Sequence, residues 1–239
     1  MASTSKELVR SSFSERATEW MACYAGAEGT TLEQRNLMSR QRLALEMLDS
    51  AVRPPAKILD AGCGSGELAA KLIDRGYDAH GLDIAEPMIH FARTRFGSHR
   101  FQVGDIENIP FPDNTFDAVV CLGVVEYLDS DDQALREISR ILKPAGIALL
   151  ATPNANAPLH RFDQLLLSLR PKYRSATGIA HRTYRRRRWL RTLAAHGFAC
   201  EKRIRHGWGW YESPLGAIAF FLSDITRSLG AEDIVLVRK

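Results

Sequence analysis

The residues with the clearest chemical meaning form a glycine-rich run that begins at Asp60. Three alternate glycines follow it, Gly62, Gly64 and Gly66, and glycine permits a tight turn that brings the backbone close to a ligand. A dinucleotide fingerprint places its third glycine one position later, where Glu67 stands here. The Asp60 carboxylate would repel a pyrophosphate and attract a cation. The pattern therefore predicts a cationic nucleotide ligand that carries an amino acid, with a plain tight strand-to-helix connection as the alternative.

Further acidic residues end the strands that follow the glycine turn. Asp83 stands 21 residues after Gly62, and a carboxylate at this place can accept hydrogen bonds from both ribose hydroxyls. Asp105 follows the third predicted strand, where it can accept from an adenine amino group. A strand-ending aspartate often serves only as a helix N-cap. Here, however, Asp60, Asp83, Asp105 and Leu122 end four successive strands, which favours a ligand site along that edge of the sheet. The predicted ligand contacts are Asp60, Gly62, Cys63, Gly64, Gly66, Asp83, Ile84, Asp105, Ile106 and Leu122.

Alternating strand and helix patterns must position these residues. Short apolar runs recur along the chain and are separated by helical patterns, near residues 52–59, 77–84, 100–106, 118–122 and 147–152. Five such units in sequence predict a parallel sheet with the ligand at the carboxyl ends of its strands. We therefore predict an α/β, Rossmann-like, doubly wound seven-stranded sheet with an antiparallel last strand, N-terminal helices and a helical lid insertion.

The same patterns divide the chain into four parts of a single domain. Residues 1–50 form an N-terminal helical cap, whose clearest helix runs from about 32 to 50. Residues 51–153 form the ligand-binding core, and residues 154–196 form a helical insertion or lid. The last strands and a helix take up residues 197–239.

Several motifs together resemble the class I S-adenosylmethionine (SAM)-dependent methyltransferases that act on small molecules. The resemblance covers roughly residues 57–154 and implies SAM as the cofactor and S-adenosylhomocysteine (SAH) as its product. The motifs that carry it are Ile58 to Gly66, Leu82-Asp83, Gly104-Asp105, Ile109-Pro110-Phe111, Phe116-Asp117 and Leu142 to Gly146.

More narrowly, the chain is similar to the ubiquinone-biosynthesis O-methyltransferases. Arg42 stands 18 residues before Asp60, the position of an arginine that binds the methionine carboxylate of SAM in that group. The group follows its fourth strand with a Glu-x-x-Glu-His pattern that implies a metal, whereas this chain retains only Glu126 of the three ligands. A single carboxylate does not hold Mg²⁺ or Zn²⁺. We therefore predict no metal site.

A hydroxyl acceptor must lose a proton, and the sequence offers three candidates for the base. Glu126 and Tyr127 leave the fourth strand beside the expected methyl position, where either can also simply shape the pocket. His181 precedes a predicted helix in the lid, where a histidine often serves only as a cap.

The positive charge of the chain is concentrated in one segment. Residues 170–206 contain twelve Lys and Arg residues and a single acid, Glu201, although the whole chain has a formal net charge of only +4. The simplest interpretation is a solvated helix face. The alternative is a contact with an anionic membrane or a carrier protein through Arg182, Arg185, Arg186, Arg187 and Arg188. The sequence does not favour nucleic acid as a partner, since no RNA-binding module is evident.

Composition predicts a cytoplasmic protein, with peripheral attachment to a membrane as the alternative. No apolar run approaches the ~18 residues of a membrane span, and residues 1–7 contain no signal-peptide core. The four cysteines lack metal-ligand spacing and read as reduced thiols. An apolar run at residues 214–222, after Trp208 and Trp210, is interpreted first as a core helix, then as a pocket wall or an interfacial segment.

The function predicted from the sequence is metal-independent, SAM-dependent transfer of a methyl group to a small-molecule acceptor, most simply a hydroxyl oxygen. One alternative is N- or C-methylation of a carrier-bound or lipid-like substrate. Another is a non-catalytic SAM-binding subunit, because fold alone does not determine function. Turnover of SAM to SAH with an added acceptor separates the enzyme from the subunit.

Overall fold

The computed structural model describes residues 5–25, 32–128, 130–157, 182–207 and 230–239. Its helices are α1 (Ser5–Glu15), α2 (Ala17–Ala25), α3 (Leu32–Ala51), α4 (Glu67–Asp74), α5 (Glu86–Phe96), α6 (Asp131–Ile141) and α7 (Arg186–Ala195). Its strands are β1 (Lys57–Ala61), β2 (Asp78–Asp83), β3 (Phe101–Val103), β4 (Phe116–Leu122), β5 (Leu142–Pro153), β6 (Ala199–His206) and β7 (Glu232–Arg238). Short 3-10 turns cover Ser98–Arg100 and Val125–Tyr127.

The strands form one seven-stranded sheet in the order β3-β2-β1-β4-β5-β7-β6. Strands β1 to β5 pair in parallel, whereas β7 is antiparallel to both β5 and β6. The order reverses between β1 and β4, where a doubly wound sheet opens a crevice at the carboxyl ends of its strands. The predicted seven-stranded, Rossmann-like sheet with an antiparallel last strand is confirmed.

Helices cover both faces of this sheet, so its central strands are apolar on both sides. In β4, Ala118 and Val120 face the core that contains α3, α4 and α5, whereas Val119 and Cys121 face the core that contains α6 and α7. All four residues are fully buried. This double burial explains why the strand reads as an unbroken hydrophobic run in the sequence.

Several strand boundaries differ from those predicted; β1 begins at Lys57 rather than near residue 52, and β3 ends at Val103 rather than near residue 106. Strand β5 begins at Leu142 rather than Ile147, because α6 passes directly into the strand and Leu142 already pairs with Phe116. Strand β6 begins at Ala199, two residues after Gly197, whose φ of +82° belongs to the turn that ends α7. Most of the predicted helical insertion, residues 158–181, and the apolar run at 214–222 lie outside the described residues.

The N-terminal helices pack across the carboxyl edge of the sheet. The Phe13 ring of α1 lies 5.8 Å from the Trp20 ring of α2 and 5.5 Å, edge-on, from the Tyr127 ring. Ala17 packs with Ala85 and Met88 at the start of α5. The segment predicted as a helical cap therefore contacts the loops that follow β2 and β4.

Candidate functional site

The glycine turn lies between β1 and α4, at the carboxyl edge of the sheet. The backbone N–H groups of Gly62 and Cys63 both donate to the Leu82 carbonyl oxygen, at 2.7 and 3.0 Å, which holds the turn against the end of β2. Gly62, Gly64 and Gly66 all have positive φ, and a Cβ on Gly62 would overlap Val124. A Cβ on Gly64 would meet nothing within 4 Å. Gly64 therefore presents bare backbone to open space, as a ligand cradle requires.

Asp83 links this turn to the end of β2. One oxygen of its carboxylate accepts from the Gly64 N–H at 2.8 Å and the other accepts from the Ala85 N–H at 2.9 Å. A carboxylate offers about four acceptor sites, so the Asp83 carboxylate can still accept from a ligand. Burial raises the pKa of Asp83.

Asp60 lies in β1, one residue before the strand ends. Its side chain is buried, with the residue 3% exposed. Burial, and then the nearby charge of Asp83, raises the pKa of Asp60 to about 7, against the opposing effects of the Ala69 backbone N–H and Arg40. Two neighbouring buried carboxylates make this part of the edge suited to a cationic ligand.

Asp105 and Ile106 follow β3 at the same edge. The Asp105 carboxylate accepts from the Glu107 N–H at 2.9 Å, and Ile106 is buried at 7% exposure. Lys6 of α1 donates to Asp105 at 2.5 Å and lies 2.6 Å from a Glu107 oxygen. The sequence had no signal for this contact, which ties the N-terminal helix to the predicted adenine end of the site.

The remaining predicted contacts occupy the same region. Ile84, Leu122 and Cys63 are half-buried, directly after β2, at the end of β4 and in the glycine turn respectively. Burial raises the pKa of the Cys63 thiol well above its ordinary value, so it is a packing residue rather than a nucleophile.

Arg42 does not lie at this edge, which corrects the predicted position. Its side chain is 63% exposed and lies 4.0 Å from Glu46, one turn along α3. Arg40 reaches the edge instead, since its Nη1 lies 2.7 Å from where a Cβ on Gly123 would stand. Residues two positions apart on a helix differ in direction by about 200°, so only one of the two arginines can face the site.

Glu126 lies in the 3-10 turn after β4 and is 7% exposed. Burial raises its pKa to about 8, with Glu232 acting in the same direction and Arg40 and Arg182 opposing. Its Oε2 is buried without a hydrogen-bond partner among the described residues. A buried carboxyl group with a pKa near neutral is suited to proton transfer.

The other two candidate bases have different settings. Tyr127 packs edge-on against Phe13 of α1, so it forms part of the contact between the cap and the site. His181 lies outside the described residues, and its role stays a prediction.

The basic residues predicted as one surface separate into two groups. Arg182 is ion-paired with Asp131, and its backbone N–H donates to the Glu126 carbonyl oxygen at 2.9 Å. It therefore braces the segment that carries Glu126, while its side chain remains 38% exposed. The exposed group comprises Arg185, Arg186, Arg187 and Arg188, at the start of α7.

Two further findings bear on the predicted chemistry. Within the described ranges, no group of three or more His, Cys, Asp or Glu side chains is arranged to hold a metal ion. No helix in the part of the chain that the structure describes is both long and apolar enough to cross a membrane.

Residues 59–150 match the family model described as a methyltransferase domain. The malonyl-[acyl-carrier protein] O-methyltransferase of Serratia marcescens is 36% identical over 99 residues, which are 41% of this chain and 39% of the relative. The enzyme of the same name from Erwinia pyrifoliae is 36% identical, covering 52% of this chain and 54% of the relative. The chain thus matches about half, or less, of the length of these relatives.

Solved structures share the fold across nearly the whole chain. A putative methyltransferase of Haloferax volcanii, in complex with the Trm112 activator, superposes with a TM-score of 0.71 at 20% identity over 96% of each chain. The magnesium protoporphyrin IX methyltransferase of Synechocystis with bound SAH gives 0.71 at 15% identity, covering 98% of this chain and 99% of that one. The cyclase SpnF gives 0.68 at 20% identity, covering 100% and 97%. Residues 59–150 therefore resemble a methyltransferase domain, and the chain shares its fold with these solved structures.

Proposed function

We propose that this protein transfers a methyl group from SAM to an oxygen atom of a small-molecule acceptor, without a metal. The observation that carries the proposal is the meeting of Asp60, Gly64 and Asp83 at one sheet edge, with open space in front of Gly64. When bound, SAM supplies a methyl group already activated on a sulfonium. The protein therefore mainly has to bind the cofactor, align the acceptor and manage one proton.

Three charged side chains fit the three recognition features of SAM. The Asp83 carboxylate would accept hydrogen bonds from the ribose hydroxyls, and buried Asp60 would pair with the α-ammonium group. The Arg40 guanidinium would bind the carboxylate with two parallel hydrogen bonds. Asp105, already in contact with Lys6, would accept from the adenine amino group beside Ile106.

Glu126 is the candidate that best fits the role of proton acceptor. A hydroxyl acceptor loses its proton as its oxygen gains the methyl group, and the ionised Glu126 carboxylate would take that proton. With its pKa raised to about 8, this carboxylate is a far stronger base than an exposed glutamate.

The acceptor itself is proposed only by class. Two relatives are named as O-methyltransferases of a carrier-bound malonyl group, which supports an oxygen acceptor and an acceptor delivered by a carrier protein. Exposed Arg185 to Arg188 at the start of α7 would suit an acidic carrier surface, because no acid lies in the first turn of that helix. The finer resemblance to ubiquinone-biosynthesis enzymes stays a prediction.

The cofactor assignment is tested by calorimetry with a matched pair of variants. Arg40→Gln should weaken SAM binding by roughly 1–3 kcal/mol, the cost of leaving a buried polar partner unmatched. Arg42→Gln, on the exposed face of the same helix, should leave the affinity unchanged. Loss of affinity in Arg42→Gln alone, with both variants folded by circular dichroism, would refute the Arg40 assignment.

Catalysis needs a separate experiment, since a non-catalytic subunit of the same fold would also bind SAM. Methyl-labelled SAM is incubated with the protein and candidate hydroxyl acceptors, free and attached to acyl carrier protein, and SAH formation is measured. Acceptor-dependent SAH release supports the enzyme. SAM binding without turnover across both acceptor sets would favour the binding subunit.

A further inference from the structure

A second glutamate reaches the site edge from the far end of the chain. Glu232 is the first residue of β7, which runs antiparallel to its neighbours, so the start of this strand lies at the carboxyl edge of the parallel strands. It is opposite Pro153 of β5 on one side and opposite His206 of β6 on the other. The sheet topology thus brings it to the region of Glu126, 106 residues earlier.

Glu232 forms an ion pair with the arginine assigned to the cofactor. Its Oε1 lies 3.4 Å from Nη1 of Arg40, and the two side chains are only 18% and 13% exposed. The Oε2 atoms of Glu232 and Glu126 are both buried and make no hydrogen bond within the described ranges. A buried acceptor without a partner is costly, so two of them at a ligand edge indicate groups kept for something other than stability.

Charges on several elements act on Glu126 as a set. Arg40 of α3 and Arg182, before α7, favour its ionised form, whereas Glu232 of β7 opposes it. The titratable and charged groups around this cluster are Arg40, Cys121, Asp131, Arg182, Tyr184, His206 and Glu232. Glu232 thus acts on Glu126 in two ways. It is a nearby negative charge, and it forms an ion pair with Arg40, one of the two arginines that favour the ionised form.

We propose that Glu232 is a positioning residue for the proposed methyl transfer, which holds Arg40 at Gly123 and, as a like charge, strengthens Glu126 as the base. The inference rests on the proposed function. In the step it serves, the acceptor's O–H bond breaks as an O–C bond to the methyl group forms and the sulfonium S–C bond breaks. The proton passes to Glu126, and the sulfur keeps the electron pair.

The test needs no acceptor, because it follows the ionisation of Glu126 directly. The protein is labelled with ¹³C at the glutamate carboxyl carbons and titrated by NMR, with Glu126→Gln identifying the Glu126 resonance. In wild type this resonance should titrate near pH 8, and Glu232→Gln should lower the midpoint by about half a pH unit or more, since a like charge is removed. Glu232→Asp keeps the negative charge, so the Glu126 midpoint in this variant should lie close to that of the wild type.

Glu201→Gln is the matched control, since Glu201 lies on the adjacent strand β6 but is exposed and paired with Arg238. Glu201→Gln should leave the Glu126 midpoint unchanged. If Glu232 had a purely structural role, Glu232→Gln would leave it unchanged as well. An unchanged midpoint in Glu232→Gln, in a protein that still binds SAM, would overturn the inference and leave the proposed function standing. Failure of the wild type to bind SAM would instead remove the proposed function.

Discussion

Replacing Glu126 with glutamine should stabilise the protein, by more as the pH rises. The folded protein keeps the Glu126 proton up to about pH 8, whereas an unfolded glutamate gives it up near pH 4.5. The unfolded state therefore binds fewer protons between these values, and the stability of the wild type falls as the pH rises through this window. The glutamine side chain of the variant would have the same shape and no proton to lose.

The size of the effect follows from the width of the window. Each pH unit between the two pKa values is worth about 1.4 kcal/mol, so the window sets an upper limit of roughly 4–5 kcal/mol by pH 8. The pKa of Asp60 is also raised, so its ionisation lowers the free energy of unfolding over an overlapping pH range. This effect is the same in wild type and in Glu126→Gln. The difference between variant and wild type therefore isolates Glu126.

Urea unfolding followed by circular dichroism, from about pH 5 to pH 9, measures this difference. Glu46→Gln is the control, because Glu46 is 59% exposed on the outer face of α3, and its effect should vary little with pH. A Glu126→Gln variant that becomes less stable than wild type as the pH rises would refute the reasoning. It would mean that Glu126 is ionised and stabilised by Arg40 and Arg182.

Further predictions concern the cofactor, the metal and the surface. Asp83→Ala should weaken SAM binding by roughly 1–3 kcal/mol, as measured by calorimetry. The control is Asp78→Ala, at the other end of β2, and equal effects of the two variants would remove Asp83 from the ribose site. SAM affinity should rise as the pH increases through about 7, where Asp60 ionises, and Asp60→Asn should abolish this dependence. Activity should survive EDTA, and its recovery only with added Mg²⁺ or Zn²⁺ would contradict a metal-free mechanism. Anionic vesicles should not pellet the protein even at low salt, whereas salt-sensitive pelleting lost on replacing Arg186, Arg187 and Arg188 with alanine would favour membrane attachment.

Local sequence signals were enough for the core of the fold. The glycine turn, the apolar runs and the helical patterns between them each depend on residues close together in the chain, and the structure has them in place. Helix α3 ends within one residue of its predicted limit. The edge formed by Asp60, Asp83 and Asp105 followed from these elements, because parallel strands bring their carboxyl ends together.

The choice between Arg40 and Arg42 was beyond such reasoning. The spacing from Asp60 in the family that the chain resembles selects a position along the helix. It does not show in which direction the side chain at that position points. The direction depends on which face of α3 packs on the sheet, and the fully buried residues of that face include Ala44, Met47 and Leu48. The pattern of apolar residues along the whole helix was the sequence signal that could have identified this face.

Lys6 and Glu232 were missed for a different reason. Lys6 meets Asp105 across 99 residues of sequence, and Glu232 meets Arg40 across 192. Neither residue belongs to a motif, and each reaches the site through long-range packing, of α1 on the edge and of β7 beside β5. Contacts of this kind are set by topology rather than by local pattern.

The charges of the assembled edge point to one consequence for the cofactor cycle. Asp60, Asp83, Glu126 and Glu232 are brought to the same side of the sheet, where Arg40 is the arginine that reaches Gly123. SAM carries a sulfonium charge that SAH lacks, and an ionised carboxylate near that charge would stabilise it electrostatically. Where these acids are ionised, which requires a pH above about 7 for Asp60 and about 8 for Glu126, the edge would favour SAM over SAH. The same buried acids that reduce the stability of the folded protein at high pH would then assist the release of SAH.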